Sequence, residues 1–378
     1  MKKIFLLFLT WRILLFTILF LAISIVPLQM NFLGGGLESY LAKPYLWAWV
    51  NFDGEHFLSI AYRGYQPLTY FFFPVYPLIT KYAAYFLGDS FTNLAVSGLI
   101  VSNISFFVAL MGLWKLFKLD YRKDVVLLAV ILLLSFPASF YFASLYSESL
   151  FLALAVWSLY FARKKNWILA GLLGGLSTAT RLVGIALVPA LIAEAWIQYK
   201  KDKKTNMVQP IIGTLLVPLG ILAYMYFLNL KTGDPLEFFH SVGIFGEQRS
   251  TSLILLPQVF YRYFFKILPN LNYNYFPVVF TTFFELITAL ILTFLSILAF
   301  FRLRLSYAVY LLVGFIIPTL SGSFSSLPRY VLTLFPAFLL TAVYLSRLKR
   351  NYRIIFTLIT VIFLGIATAL FARGYWVA

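Results

Sequence analysis

Apolar residues run along this chain in unbroken stretches of membrane length, separated by short basic clusters. The stretches fall at residues 4–28, 91–117, 124–143, 147–162, 207–230, 278–301, 305–321, 329–346 and 354–372. A helix rises about 1.5 Å per residue, so roughly 20 apolar residues cross the hydrocarbon core of a bilayer. Residues 167–199 add an apolar stretch with basic clusters at both ends. Basic clusters mark cytoplasmic loops, so this stretch is expected to turn round on the outer side near Thr180-Arg181, as two short helices. The pattern predicts an all-α polytopic membrane protein of about 11 transmembrane helices, starting inside and ending outside. One domain is expected over 1–378.

Two segments on the non-cytoplasmic side are too long to be connectors: a first external loop at 29–90 and a second at 231–277. The first carries Trp47, Trp49 and Tyr70-Phe71-Phe72-Phe73-Pro74; the second carries Phe238-Phe239, Tyr261, Tyr263 and Phe264-Phe265. Both are aromatic enough to form interfacial helices lying on the membrane. Long loops in compact proteins are more often functional than not. The first apolar run begins with Lys2-Lys3, as a signal peptide would, but no small-residue cleavage site follows Pro27, so it reads as a retained span.

Composition agrees. Of 378 residues, 62% are hydrophobic and 11% charged, with mean hydropathy +0.90, against about 45–50% apolar and about 25% charged in soluble domains. The net charge of +17 would suit a nucleic-acid binder, but the basic residues do not build one continuous surface. They sit between spans, at Lys115 to Lys123, Arg163 to Lys165, Lys200 to Lys204, Arg302/Arg304 and Arg347 to Arg353. On the predicted topology 20 of the 30 Lys and Arg are cytoplasmic, but only four of the 13 acids (Asp120, Asp124, Glu194, Asp202). That asymmetry fixes the orientation. Cysteine is absent, which removes disulfides and thiolate metal sites.

Carboxylates at or within a bilayer demand a reason. Asp53 and Glu55 lie among aromatics beside His56, just past the first span. A carboxylate held there in a desolvated pocket can act as a general base. Alternatively Asp53 caps a helix beginning at Gly54. Glu148 stands at the outer start of a span, where the helix dipole alone would favour an acid. Arg181 at the hairpin turn could hold a lipid phosphate bidentately or snorkel to headgroups. Arg329, beside Tyr330 at another outer helix start, opposes the dipole and so calls for a negative partner. Gly233-Asp234-Pro235 reads as a turn with Pro235 opening a helix. Neither histidine has a second ligand at zinc spacing. Asp53-x-Glu55 could hold a divalent cation, though two acids make a weak signal. No cofactor is firmly implied.

Taken in order, several stretches resemble the PIG-V-like mannosyltransferases of the GT-C superfamily. They are Trp49-x3-Asp53-Gly54-x-His56-Phe57-x2-Ile60-Ala61-x2-Gly64-Tyr65, Phe72-Phe73-Pro74-Val75-Tyr76-Pro77 and Ser102-Asn103. Phe136-Pro137-x-Ser139-Phe140-x3-Ser144-x-Tyr146-Ser147-Glu148-Ser149-Leu150-Phe151 and Ala179-Thr180-Arg181-x2-Gly184 follow. Gly233-Asp234-Pro235 and Pro328-Arg329-Tyr330-x4-Phe335-Pro336 complete the set, which covers most of 45–340. The resemblance implies a GT-C-like fold and an inverting glycosyltransferase active on the external face of the cell membrane. Its donor would be a sugar on polyprenyl or dolichyl phosphate, its acceptor a lipid or glycan. Asp53 takes the place of the family's acidic residue in the first external loop. Glu55, His56, Glu148, Arg181, Arg329 and Tyr330 are expected to contact substrate. Asn51-Phe52 before Asp53 departs from the pattern, and Glu55 falls where the motif varies. The competing reading is a transporter or flippase of lipid-linked sugar, which would place paired repeats and ionisable groups at the bilayer midplane. A non-catalytic subunit and a donor sugar other than mannose also remain open.

Overall fold

In the computed structural model, residues 2–88, 90–204, 206–241 and 252–377 are described, and all their regular elements are helical. The long helices are α1 (Lys2–Ile25), α6 (Phe91–Phe117), α15 (Phe276–Arg302) and α19 (Arg350–Ala372). Between α1 and α6 run α2 (Gly36–Ala42), α3 (Pro44–Trp47), α4 (Asp53–Arg63) and α5 (Val75–Ala84). Next come α7 (Lys123–Ser135), α8 (Glu148–Arg163), α9 (Trp167–Thr178), α10 (Leu187–Lys201), α11 (Val208–Leu216) and α12 (Leu219–Thr232). The short α13 (Glu237–His240) and α14 (Leu256–Arg262) precede α15; α16 (Leu305–Thr319), α17 (Leu327–Val331) and α18 (Phe335–Leu345) precede α19.

Six segments are long and apolar enough to cross a membrane: Lys2–Ile25, Phe91–Phe117, Leu182–Lys201, Val208–Thr232, Phe276–Arg302 and Arg350–Ala372. Trp167–Thr178, Leu305–Thr319 and Phe335–Leu345 are shorter apolar helices. Large apolar side chains on α1, α15 and α19 face outward, among them Phe20, Phe294, Phe301 and Ile362. Water would not tolerate that surface, and lipid does. This is a multi-pass membrane protein.

Three apolar stretches divide differently from their sequence pattern, 329–346 among them, which splits into α17 and α18. The 207–230 run breaks at Val217-Pro218 because proline supplies no N–H to the helix ladder, leaving α11 and α12 end to end. The 124–143 run gives only the short α7, then a tight 3-10 turn at Ser139–Ala143 after Phe136-Pro137. Glycines close the α9 seam. A Cβ on Gly171 would lie 2.1 Å from the Gly213 carbonyl oxygen, and one on Gly220 1.8 Å from that of Gly175. Gly171 and Gly175, four apart, thereby let backbones touch where lipid gives no hydrophobic drive to associate.

Helix lengths shape the whole molecule. The C-terminal ends of α8 and α10 meet the loop after α6 and the start of α16, where Arg163 binds Asp120 at 2.6 Å and Arg304 binds the buried Glu194 at 2.7 Å. From this basic end α7 rises only about 20 Å and α8 about 24 Å, whereas α6 and α15 run about 40 Å. The tops of the short helices therefore form a hollow ringed by longer ones. Ser102, midway along α6, marks the level: its hydroxyl donates to the Tyr146 carbonyl oxygen at 3.2 Å and pairs with the Tyr76 hydroxyl at 2.8 Å.

The 29–90 segment fills part of that hollow instead of lying wholly on the membrane surface. Trp49, Val50, Asn51 and Leu58 are buried, because the segment packs against α1, α6 and α19. Its near end, with Met30, Phe32 and Leu41, and its far end, with Tyr82, Tyr85 and Phe86, are strongly exposed.

Candidate active site

Asp53 opens α4, and three tethers fix that start. The Leu145 N–H donates to the Trp49 carbonyl oxygen at 2.8 Å, and the Tyr146 hydroxyl donates to that of Asn51 at 2.9 Å. Asn51, fully buried, accepts from the Gly34 N–H and donates to the Phe371 carbonyl oxygen, both at 2.8 Å. Between them Phe52 takes φ 58°, a left-handed conformation that costs a non-glycine residue about 1–3 kcal/mol. Phe52 takes the N-cap position, without a side-chain cap bond, and Asp53 is the first helical residue. Its carboxylate meets the Arg329 guanidinium, Nη1 to Oδ2, at 2.5 Å.

Arg329 comes from α17, a single turn set by Ser326 in the left-handed region and by Pro328. Its Nε lies 3.3 Å from Glu148 Oε1, and its guanidinium lies 5.6 and 5.5 Å from the centroids of the Tyr141 and Tyr146 rings. Glu148 also pairs with Arg181, which donates to Ser147 Oγ at 3.2 Å and covers the Tyr330 ring at 4.8 Å. Serine hydroxyls hold the 139–149 segment in shape: Ser144 donates to the Phe140 carbonyl oxygen and Ser149 to that of Phe142. Two acids and two arginines thus form a neutral quartet. Glu148 is wholly buried, Arg329 is 4% exposed, Arg181 12% and Asp53 18%.

Above the quartet lies a cavity of about 270 Å³. Asp53, Arg181, Arg329 and Tyr330 are on its wall, with Ser147, Thr180, Ser321, Ser325 and the rings of Phe57, Phe71, Phe72, Phe73, Phe238 and Phe239. Asp53 is the acid facing it. The other sequence candidates stand back. Glu148 anchors both arginines from behind. His56 stacks on Phe72 at 4.9 Å, on a helix of the first loop, where burial pushes its pKa down against the charge of Asp53. Glu55 turns to accept from the Gly35 N–H, and burial pushes its pKa up. Asp53 and Glu55 therefore serve different partners and do not converge on a cation. Among the described residues no group of three metal-ligating side chains occurs. Asp234 accepts from the Leu236 N–H at 2.8 Å, so α13 starts two residues after Pro235.

Sequence reasoning missed Asn51, Tyr141, Tyr146 and Ser147. A buried asparagine in an aromatic run and a dense Ser/Tyr segment ahead of Glu148 were the available signals.

A sequence profile described as Mannosyltransferase (PIG-V) matches residues 2–231, taking in Asp53, Glu148 and Arg181. The chain belongs to the PIG-V mannosyltransferase family. It is a glycosyltransferase, and the transporter reading drops out. This PIG-V family member shares its fold with ArnT from Cupriavidus metallidurans. Against ArnT bound to undecaprenyl phosphate it aligns over 99% of its own length and 75% of that chain, with TM-score 0.56 and 15% identity. Against the apo state of ArnT the values are 99%, 76%, 0.54 and 15%. The apo oligosaccharyltransferase of Archaeoglobus fulgidus aligns more loosely, at TM-score 0.49 and 13% identity, over 99% of this chain and 56% of that one. No curated protein matches by sequence.

Proposed function

We propose that this protein transfers a hexose, mannose by its family, from a polyprenyl-phosphate carrier to an alcohol, with inversion, on the non-cytoplasmic face of a membrane it crosses about 11 times. The observation that carries this reading is the position of Asp53, a carboxylate on the cavity wall beside two arginines. ArnT, which shares the fold, binds undecaprenyl phosphate, and that supports a carrier of this class. A non-cytoplasmic site suits such a donor, because nucleotide sugars are cytoplasmic.

Asp53 accepts the proton of the acceptor hydroxyl as its oxygen attacks the anomeric carbon. The bond from that carbon to the carrier phosphate breaks on the opposite face, and the phosphate gains one negative charge. Arg181 and the outer fork of Arg329 meet that charge. Glu148 keeps both guanidinium groups aimed. The proton gained by Asp53 matches the charge gained by phosphate, so the net charge of the pocket is unchanged through the step. No covalent enzyme intermediate is needed.

The test is transfer by purified protein from a panel of polyprenyl-phosphate hexoses. Asp53→Asn should cut turnover by about a thousandfold, within the range of a lost general base, while the protein stays folded and elutes like the parent. Near-normal turnover by Asp53→Asn would refute the assignment.

A further inference from the structure

Arg12 sits halfway along α1, about 15 Å above Lys2, at a depth where an ionisable side chain needs a partner or a function. Among the described residues no hydrogen-bond or ion-pair partner reaches it, and its Nη1 is buried. The rings of Phe16 and Trp49 cover the guanidinium, with centroids 4.5 and 5.3 Å away. Ring faces attract the cation but leave its in-plane N–H donors unmet. Trp49 is itself buried, and its Nε1 is a second donor without an acceptor.

Both donors belong to a seam between α1 and α6. The two helices run in opposite directions: α6 starts above with Phe91 on Trp47, and further down Phe107 packs on Phe8 of α1 at 5.6 Å. One turn up α1 from Phe8 is Arg12, and one turn up α6 from Phe107 is Asn103. A second polar side chain therefore stands at the level of Arg12 on the facing helix. Arg12 and Asn103 are only partly buried. Leu9 and Phe16 on α1, and Ile100 and Ile104 on α6, are exposed beside them. The seam is open to the bilayer.

Its occupant must bring a negative acceptor to this depth. A phospholipid would have to draw its phosphate about 15 Å into the hydrocarbon. A second copy of this chain has no acid to offer. Among the described residues, Asp53 is engaged with Arg329, Glu148 with Arg181, Glu194 with Arg304 and Glu285 with Tyr263. A carboxylate on the span of another protein reaches any depth its helix sets, and it pairs with a guanidinium bidentately.

We infer that the seam between α1 and α6 receives a transmembrane helix of a partner protein, with one Asp or Glu at mid-span paired to Arg12. Trp49 Nε1 offers that carboxylate a further donor, and Leu9, Phe16 and Ile104 give its helix an apolar bed. The inference does not depend on the reaction.

The probe is a synthetic Leu/Ala span of about 21 residues with one central Asp, set against its Asn twin. Energy transfer from the labelled full-length protein in zwitterionic proteoliposomes reads association. The Asp peptide should bind about tenfold more tightly than the Asn peptide, and Arg12→Gln should bring the two within about twofold. Elution and far-UV circular dichroism like the parent's show that Arg12→Gln has folded. No preference for the Asp peptide in the parent, or an equal preference in Arg12→Gln, would overturn the inference. In the cells that make the protein, a benzophenone photoprobe at Ile104 should cross-link to a span that carries an acid. That product should vanish in Arg12→Gln and when the acid is replaced by its amide. Cross-linking that reaches only phospholipid, a second copy of this chain or a span without an acid would overturn it too.

Discussion

Glu148→Gln removes one charge and keeps the side-chain shape, which isolates what the buried carboxylate does. Glu148 is fully buried and touches both Arg181 and Arg329. Breaking a buried pair by deleting one partner costs about 3–5 kcal/mol, because the remaining charge is stranded. Here each cation keeps something: Arg329 holds Asp53 at 2.5 Å, and Arg181 is partly open to the cavity. The expected loss is therefore near the bottom of that range, about 3 kcal/mol. Asp53→Asn breaks a more exposed contact and should cost about 1 kcal/mol. Unfolding in mixed detergent–SDS micelles, followed by tryptophan fluorescence, measures both. With Arg329→Gln measured alone as well, the double variant Glu148→Gln/Arg329→Gln should cost less than the sum of its two singles by at least about 1 kcal/mol. A Glu148→Gln protein as stable as the parent, or strict additivity in the double variant, would refute the view that Glu148 anchors the quartet.

Further predictions concern the surrounding support. The loop that carries Ser321 and Ser325 and leads to α17 is clamped from the segment just after α14: the Phe324 N–H donates to the Tyr263 hydroxyl at 3.2 Å, which donates to the buried Glu285 at 2.8 Å. Tyr263→Phe keeps the ring packing on Phe324 and should lower kcat about tenfold with little change in KM; unchanged kcat would show that the clamp does not position Arg329. His56 titrates lower in the fold than the ordinary value of about 6.5. The unfolded chain therefore takes up the proton first, and stability should fall as pH drops below about 6.5. His56→Gln should flatten that fall between about pH 7 and pH 5, read from unfolding midpoints. Glu55, pushed up by burial, acts in the opposite sense, so His56 must be replaced alone. An identical pH slope in parent and variant would contradict the burial argument.

Much of the architecture was legible because bilayer length is a strong filter. The 91–117 stretch is α6 residue for residue, and the hairpin turn falls at 179–181 as the paired basic clusters required. What could not be read was where short helices would end. An apolar run continues through Phe136-Pro137, and reading it by hydropathy alone passed over the proline that ends the helix at Ser135. The site was half legible. Asp53, Glu148, Arg181 and Arg329 stood out as charges in apolar surroundings. Their mutual pairing did not, since Asp53 and Arg329 are 276 positions apart. Helix-cap logic favoured the wrong partner for Asp53, because nothing local reveals that Phe52 adopts a left-handed backbone. Glu55 looked equivalent to Asp53 by composition. Two residues along α4, a rotation of about 200°, send it to Gly35 instead.

The hollow left by the short helices has a consequence for which molecules can react. A lipid-borne sugar normally rides at the level of the headgroups, above the hydrocarbon. On the proposed function the reacting groups lie level with the middle of α6, so a headgroup must descend below the tops of the longer helices to reach them. Selection then falls on headgroups slim enough to make that descent.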